Sequence, residues 1–583
     1  MHARFSAHEG RTDTDRPATF MSATRRAFGW IIPCVIALAG CLFLCWNIYA
    51  ASANVPLSDT WAFVPVIGHY LGRGDVSWRS LWTPDGQDRP VLWRLALLAS
   101  ARYDSFNLQE LKLLAPVAVA VEYVVLYRDL QGRLSALSLR AVTLLLLPPA
   151  ILLFSLTQWE TFTEEWNTAN ACAVACAVIA IVLLDRSRSW RYRRTTAAAA
   201  IVLGVVGPLL GEPGILVWPA FVFLLILRRR EFSRLEQAVV VAAAAGFLVG
   251  YLSGVPGGAS VTTALGSHPA EVAEFFLICL GSSAMGTFHN AVILVLDEAV
   301  GGFLLVGAVV AAIGYTRLDP GGRRECSPYL TLMVLGLFEC GGPSVARLSF
   351  GLGSAASSRY VTSALLVPLG TYLVVSYVVM QRWTENRRAK GTAKPALRWR
   401  VRPELCALLA LATCFIVGVG VIGDGGQLTL VGARKNYFES AAAVVMAGRG
   451  SAAQLGLLEY SGGPDSDQTL LDDFAILRLY HLSVFARREG AVTSLGCAAT
   501  RIGQLQLDSD VHEDRRQQGA DDRGGAPLGD RLPAVRCESR PQRGVLVGAQ
   551  DLGREGLLAI GHEHVTPVLE THALGSQSGG HNW

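Results

Sequence analysis

The chain has 583 residues, of which 51% are apolar and only 17% are charged, and its net charge is +4. Soluble domains carry about 25% charged residues, and the apolar residues here form long runs. This composition excludes a water-soluble enzyme and a largely disordered chain. Because the runs recur from residue 30 to residue 423, they also argue against a secreted protein with a single signal anchor.

The first apolar run lies at about residues 30–51, follows Arg25 and Arg26, and has no small-residue cleavage site. It predicts an uncleaved anchor behind a cytoplasmic N-terminal segment, residues 1–28. Ten further runs approach the roughly 20 residues that cross a bilayer and predict spans at about 108–127, 141–156, 169–184, 196–210, 214–227, 236–253, 298–315, 328–345, 361–380 and 405–423. The predicted fold is an all-α integral membrane protein with about eleven transmembrane helices.

The loop charges predict the orientation of these spans. Arginines cluster in alternate loops, at residues 128–140, 186–194, 228–234, 317–324 and 382–402, whereas the opposite loops at 157–168, 211–213 and 254–271 contain no Lys or Arg. Basic loops stay in the cytoplasm, so the N-terminus is predicted to be cytoplasmic and the C-terminus extracytoplasmic. The basic clusters are therefore topology signals and do not indicate nucleic-acid binding. A composition poor in Lys and rich in Ala and Gly is typical of GC-rich bacteria, which predicts the bacterial plasma (inner) membrane.

Residues 272–297 are apolar enough to enter a membrane, but a full span there would move Arg317, Arg323 and Arg324 to the outer side. They are therefore predicted to form a re-entrant or interfacial helix pair on the outer side. The predicted organisation is a membrane domain at residues 29–423, a short extracytoplasmic region at 424–490 and a polar, flexible tail at 491–583.

Polar residues concentrate in the predicted outer loops. The first, residues 52–107, is far longer than a simple connector and contains Asp59 and the Asp88-Arg89 pair. Gln158, Trp159 and Glu160 follow the third span, Glu212 lies in a bend, and Arg347, Arg359 and Tyr360 lie around the start of the tenth span. Charged groups at a membrane boundary are costly unless they are paired or used, so these residues are candidate site residues.

The segments SDTWAFVP at 58–65, DGQDR at 85–89, FSLTQWE at 154–160 and SSRYVTS at 357–363 resemble a family of bacterial polytopic membrane proteins. That family is similar to the GT-C glycosyltransferases, and the resemblance covers about residues 25–485. The chain departs from the family pattern at Gln87-Asp88, where the family has an acidic residue and a histidine, and at Thr161, where it often has asparagine.

The resemblance implies transfer of a sugar from a polyprenyl-phosphate donor to a cell-envelope glycan, lipid or protein, on the extracytoplasmic side. It implies that Asp59 is the catalytic base and that Glu160 assists it. Arg89, Arg347 and Arg359 would hold the lipid phosphate, and Gln158, Trp159 and Tyr360 would line the substrate site. A divalent cation bridging Asp59 and Glu160 is compatible with this scheme, and no residue pattern requires a metal.

Several alternatives remain open at this point. Asp59 is also a suitable helix N-cap for the stretch that starts at Thr60. Trp159 and its neighbours also fit an interface belt, although Glu164 and Glu165 already provide solvated charge there. Arg359 also fits a side chain that snorkels to the outer surface, and Asp88-Arg89 fits a local ion pair. Alternative functions are a transporter or flippase of lipid-linked sugars and a non-catalytic membrane assembly protein.

Overall fold

A computed structural model of the chain describes residues 16–84, 88–135, 137–187, 193–255, 266–285, 291–389, 403–450, 452–458 and 466–486. Within these ranges the chain is helical and contains no β-strand, which confirms the predicted all-α class for this part of the protein. The predicted tail at 491–583, Gln87, and residues 1–15 of the predicted N-terminal segment lie outside the described residues.

The α-helices are numbered here in chain order. The first eleven are α1 (Arg16–Ala51), α2 (Val64–Arg73), α3 (Trp78–Trp82), α4 (Val91–Tyr103), α5 (Leu108–Lys112), α6 (Leu114–Arg133), α7 (Leu139–Leu153), α8 (Trp159–Thr163), α9 (Glu165–Arg186), α10 (Arg193–Leu210) and α11 (Val217–Leu227). They are followed by α12 (Arg234–Leu252), α13 (Pro269–Met285), α14 (Ala291–Thr316), α15 (Pro320–Ala346), α16 (Ser358–Ala364), α17 (Leu366–Ala389), α18 (Pro403–Thr429), α19 (Val431–Ala447), α20 (Ala452–Leu455) and α21 (Ser466–Leu479). Short 3₁₀ helices occupy Ser58–Phe63, Leu156–Gln158, Glu212–Leu216, Leu348–Phe350, Leu352–Ala356, Gly456–Leu458 and Ser483–Phe485.

Eight helical segments of the described chain are long and apolar enough to cross a membrane. They are Trp30–Ala51, Leu139–Thr163, Glu165–Arg186, Arg234–Leu252, Val292–Thr316, Pro320–Ala346, Ser358–Trp383 and Leu409–Thr429. Each overlaps one of the predicted runs. The other three predicted runs coincide with α6 and with the shorter apolar helices Arg194–Leu210 and Glu212–Leu227. A multi-pass membrane protein is thus supported, whereas the count of eleven spans stays a prediction.

The segment 272–297 does not form a self-contained helix pair. Helix α13 ends at Met285, and residues 291–297 are the first turns of α14, which continues to Thr316. The two helices pack closely because glycines remove the side chains between them: a Cβ on Gly281 would lie 1.7 Å from the carbonyl oxygen of Asp297. The predicted boundary between the re-entrant segment and the next span, at residues 297 and 298, is therefore wrong: α14 runs through it, because an apolar helix satisfies its own backbone groups in a membrane.

Two large apolar cores organise the described chain, beside a small cluster of five buried residues around Tyr372. The larger one lies among the long helices and is centred on α9, whose many alanines allow neighbouring helices to approach closely. The smaller one joins the first predicted outer loop to α19 and α21, segments distant in sequence. Trp61 meets Phe474 edge to face at 5.4 Å in this second core, and the backbone N–H of Ser483 donates to the carbonyl of Ser105 at 2.8 Å. The long loop is therefore a folded cap.

Candidate functional site

The candidate residues and the arginine clusters lie at opposite ends of shared helices. Helix α9 has 22 residues, a length of roughly 33 Å. It begins beside Glu164 and ends at Asp185 and Arg186. Helix α15 likewise starts near Arg324 and ends just before Arg347. A residue at one end of these helices is therefore separated from the other end by about one membrane thickness.

Glu160 connects two of the motifs singled out in the sequence. Its Oε2 accepts hydrogen bonds from Ser357 Oγ at 2.6 Å and from the backbone N–H of Arg359 at 3.0 Å. In return, the backbone N–H of Glu160 donates to Ser358 Oγ at 2.9 Å. The carboxylate thus satisfies backbone and side-chain donors at the start of α16, where a helix favours negative charge. The FSLTQWE and SSRYVTS segments consequently meet in one place.

Further hydrogen bonds fix this junction. The hydroxyls of Thr161 and Thr362, both buried, lie 2.9 Å apart. Asp424, near the end of α18, accepts from Ser155 Oγ at 2.8 Å and from the backbone N–H of Leu156 at 2.7 Å. These contacts hold three helical segments at the same end of the bundle, so the position of Glu160 is set by a network and not by one side chain.

Asp59 lies in the first turn of the 3₁₀ helix Ser58–Phe63 and is half-buried. The N-cap position is Leu57, and no side chain caps this turn, so the interpretation of Asp59 as a capping residue is wrong. Its carboxylate makes no hydrogen bond or ion pair with any described residue, and it lies within electrostatic range of Arg359. The preceding residue, Ser58, has a φ of 50°, a left-handed conformation that costs a non-glycine residue on the order of 1 kcal/mol.

The guanidinium of Arg359 is near three carboxylates and is bonded to none of them among the described residues. Its guanidinium lies within electrostatic range of Glu160, Glu164 and Asp59, and stacks over the neighbouring Tyr360 ring at 5.2 Å. Among the described residues it has no hydrogen-bond acceptor, and its Nε is buried without a partner. An enclosed Nε does not fit a side chain that snorkels into water. Arg359 therefore presents unused donors beside Asp59 and Glu160.

Gln158 and Trp159 both face the protein. Gln158 is buried, and its Nε2 donates to the carbonyl of Leu153 at 3.1 Å, at the end of α7. The guanidinium of Arg434 stacks over the Trp159 ring at 4.2 Å, which is unlike a residue of a lipid-facing belt. Burial lowers the pKa of Arg434 to about 10, and the charge of Glu160 opposes that shift. The substrate-binding roles of Gln158 and Trp159 stay predictions.

Arg434 is a site residue that the sequence did not reveal. It lies on α19, in the region predicted as a short extracytoplasmic extension, and no motif surrounds it. With Trp159 it lines a cavity of about 10 Å³ between α1 and α8, a volume that holds about one water molecule. The only sequence signal for the burial of Arg434 is that the segment around it also contains apolar residues.

The side chain of Arg89 is bonded to neither Asp59 nor Glu160 in the described chain. Its Nε donates to the carbonyl of Tyr251 at 2.8 Å, and its terminal nitrogens donate to the carbonyls of Trp82 and Ser253. These bonds join the cap to the end of α12 and use donors that phosphate binding would require. The predicted role of Arg89 in holding phosphate stays a prediction.

Arg347 and Tyr360 belong to an adjoining cluster. Arg347 Nη2 lies 3.7 Å from Glu212 Oε2, and the buried hydroxyl of Tyr360 has no hydrogen-bond partner in the described chain and is within electrostatic range of both residues. Glu339, which the sequence did not single out, is buried nearby, with one carboxylate oxygen lacking a partner. Buried polar atoms left without partners mark a place where a ligand or water completes the bonding.

Glu164 and Glu165 do not solvate the start of α9. Glu165 is fully buried, accepts from the backbone N–H of Leu57 at 2.8 Å and lies 3.7 Å from Lys112 Nζ. Glu164 is also buried and accepts from Asn167 Nδ2 at 2.5 Å. The expectation of solvated charge was wrong because the cap covers this end of the helix. Glu165 therefore holds the cap at Leu57, close to Asp59 in the chain.

The described residues contain no group of three His, Cys, Asp or Glu side chains suited to hold a metal ion. The Oε2 of Glu160 is also occupied by two hydrogen bonds. This donor set does not fit a divalent cation that bridges Asp59 and Glu160.

Comparisons of the chain with protein-family models, with curated proteins and with solved structures found no match.

Proposed function

We propose that this chain is a GT-C-like membrane glycosyltransferase. It moves a sugar from a polyprenyl-phosphate donor to a cell-envelope glycan, lipid or protein. The arginine-rich ends of the helices face the cytoplasm by the positive-inside rule, so the reaction occurs on the extracytoplasmic side of a bacterial inner membrane. The observation that carries the proposal is the grouping of an unbonded carboxylate, Asp59, with an unbonded guanidinium, Arg359.

Each group has a defined part in the reaction. Asp59 takes the proton of the acceptor hydroxyl as its oxygen forms a bond to the anomeric carbon. The bond between that carbon and the phosphate oxygen breaks, and the lipid phosphate leaves with its negative charge. Arg359 binds this phosphate through N–H donors that no described residue uses, because guanidinium and phosphate form strong, charge-assisted bonds. Glu160 positions Arg359 by accepting a hydrogen bond from the backbone N–H of Arg359.

The proposal is tested with purified protein in bilayers and a panel of radiolabelled polyprenyl-phosphate sugars. Asp59→Asn keeps the size of the side chain and removes the base, so we expect transfer to fall at least 100-fold while the unfolding midpoint stays unchanged. Asp75→Asn is the matched control: this residue belongs to the same cap and its side chain is 77% exposed, so activity should be retained. Full activity in Asp59→Asn would remove Asp59 as the base.

A transporter of lipid-linked sugars is the second candidate, favoured by carboxylates buried among the long helices. One carboxylate oxygen of Glu122 on α6 is buried without a hydrogen-bond partner in the described chain, and so are both carboxylate oxygens of Asp297 on α14. Ionisable groups at such positions often belong to transport pathways. In the same vesicles, a transporter would carry the donor across the bilayer without forming a new glycoside, and Asp297→Asn, not Asp59→Asn, would stop it.

A further inference from the structure

The opposite, arginine-rich end of the bundle contains a network of buried ion pairs. Arg133 binds Asp129 at 2.7 Å and Asp185 at 2.6 Å. Arg186 binds the other oxygen of Asp129 at 2.5 Å, and Arg228 pairs with Asp185. The two aspartates are almost fully buried. They neutralise arginines at the ends of α6, α9 and α11, and so hold these helices together.

A cavity of about 210 Å³ opens beside this network. Four of its seven lining residues are arginines, namely Arg133, Arg186, Arg228 and Arg324. Gly132 also lines it, and a Cβ at that position would lie 2.7 Å from a terminal nitrogen of Arg186. The glycine thus preserves space next to a guanidinium. From the sequence alone, these arginines were interpreted only as signals of membrane topology.

Asp185 and Glu325 also line the cavity, and Arg133 binds Glu325 at 3.0 Å, yet some guanidinium donors stay unused. Each guanidinium offers five N–H groups. Arg324, whose side chain is 45% exposed, contacts Glu231 through Nε at 3.2 Å, and its two terminal NH₂ groups have no acceptor among the described residues. The Nε of Arg228 is buried and also lacks a partner in the described chain. The two arginines that carry these donors both line the cavity, and the exposed side chain of Arg324 places one side of it at the solvent.

We propose that this cavity binds a phosphate group at the cytoplasmic end of the helices. Guanidinium groups match the geometry and charge of phosphate, and basic pockets between membrane helices on this side suit anionic headgroups. The phosphate comes either from the headgroup of a membrane lipid or from a soluble anion. This site is separate from Asp59 and Arg359, so its test is independent of the transferase proposal.

The test uses the full chain in nanodiscs at constant ionic strength, with the unfolding midpoint as readout. One arm adds inorganic phosphate to phosphatidylcholine discs, and the other replaces phosphatidylcholine stepwise by phosphatidylglycerol. We expect a saturable rise of the midpoint in at least one arm. A rise in the first arm identifies a soluble anion, and a rise in the second alone identifies a lipid headgroup.

Arg324→Gln and Arg323→Gln form a matched pair, because the two exposed arginines are neighbours and only Arg324 lines the cavity. We expect Arg324→Gln to weaken binding at least tenfold and Arg323→Gln to leave it unchanged. Gly132→Ala, which keeps every charge, should weaken binding as well. Equal behaviour of the two arginine variants, or no saturable rise in either arm for the wild-type protein, would overturn the proposal.

Discussion

Removal of the Glu160 carboxylate tests whether two distant motifs are joined as the structure has them. In Glu160→Ala, Ser357 Oγ and the backbone N–H of Arg359 lose their shared acceptor. Hydrogen bonds to a charged group contribute about 1.5–3 kcal/mol each. Because Glu160 is only half-buried, water replaces part of this loss, and we expect the free energy of unfolding to fall by about 2 kcal/mol.

Glu160→Gln separates the hydrogen bonds from the charge. The amide retains one oxygen that can accept from Ser357, so the expected loss of stability is about 1 kcal/mol, because neutral hydrogen bonds are roughly half as strong as charge-assisted ones. Transfer activity should fall more in Glu160→Ala than in Glu160→Gln, since only the alanine variant lacks any acceptor for the backbone N–H of Arg359.

Stability is measured by reversible unfolding in mixed micelles, with Glu439→Ala as the control. Glu439 is a glutamate on α19 whose side chain is 61% exposed and whose ion pair with Lys435 is long, at 3.8 Å, so its loss should change stability by less than about 0.5 kcal/mol. If Glu160→Ala were no more destabilised than Glu439→Ala, the junction between the two motifs would be refuted.

Two other predictions concern packing and pH. The 2.9 Å separation of the Thr161 and Thr362 hydroxyls places their side chains within disulfide reach. The double variant Thr161→Cys/Thr362→Cys should therefore crosslink on oxidation and shift on non-reducing gels, whereas either single variant should not. An uncrosslinked double variant would contradict the contact. Asp473 on α21 is buried, and desolvation followed by the charge of Asp472 raises its pKa to about 8. The folded chain therefore keeps this proton while the unfolded chain loses it near pH 4, so stability should fall between about pH 4 and pH 8 by up to about 1.4 kcal/mol per pH unit. Asp473→Asn should flatten this slope in unfolding midpoints measured at several pH values and raise stability at pH 8; an unchanged slope would show that Asp473 is not buried in this way.

Much of the fold could be predicted because membrane insertion depends on local sequence. The length and hydropathy of each run, with the arginines of its loops, indicated the helices, and every predicted span coincides with a described helix. The prediction was wrong at Asp297, where a re-entrant segment was predicted to end and a span to begin, because α14 continues through that position. The close packing of α13 against α14 there depends on Gly281, whose missing side chain lets the two helices touch, and no local pattern contains that contact.

The site was predictable only as a list of residues. Sequence alone determined that carboxylates and arginines occur in loops of one predicted side, because polarity and charge are properties of each segment. Tertiary structure decided which of them are already used: Arg89 is bonded to three carbonyls, Asp59 and Arg359 keep unbonded groups, and Arg434 joins Trp159. Such pairings link segments hundreds of residues apart, and their energies depend on distance and burial, which exist only once the helices have packed.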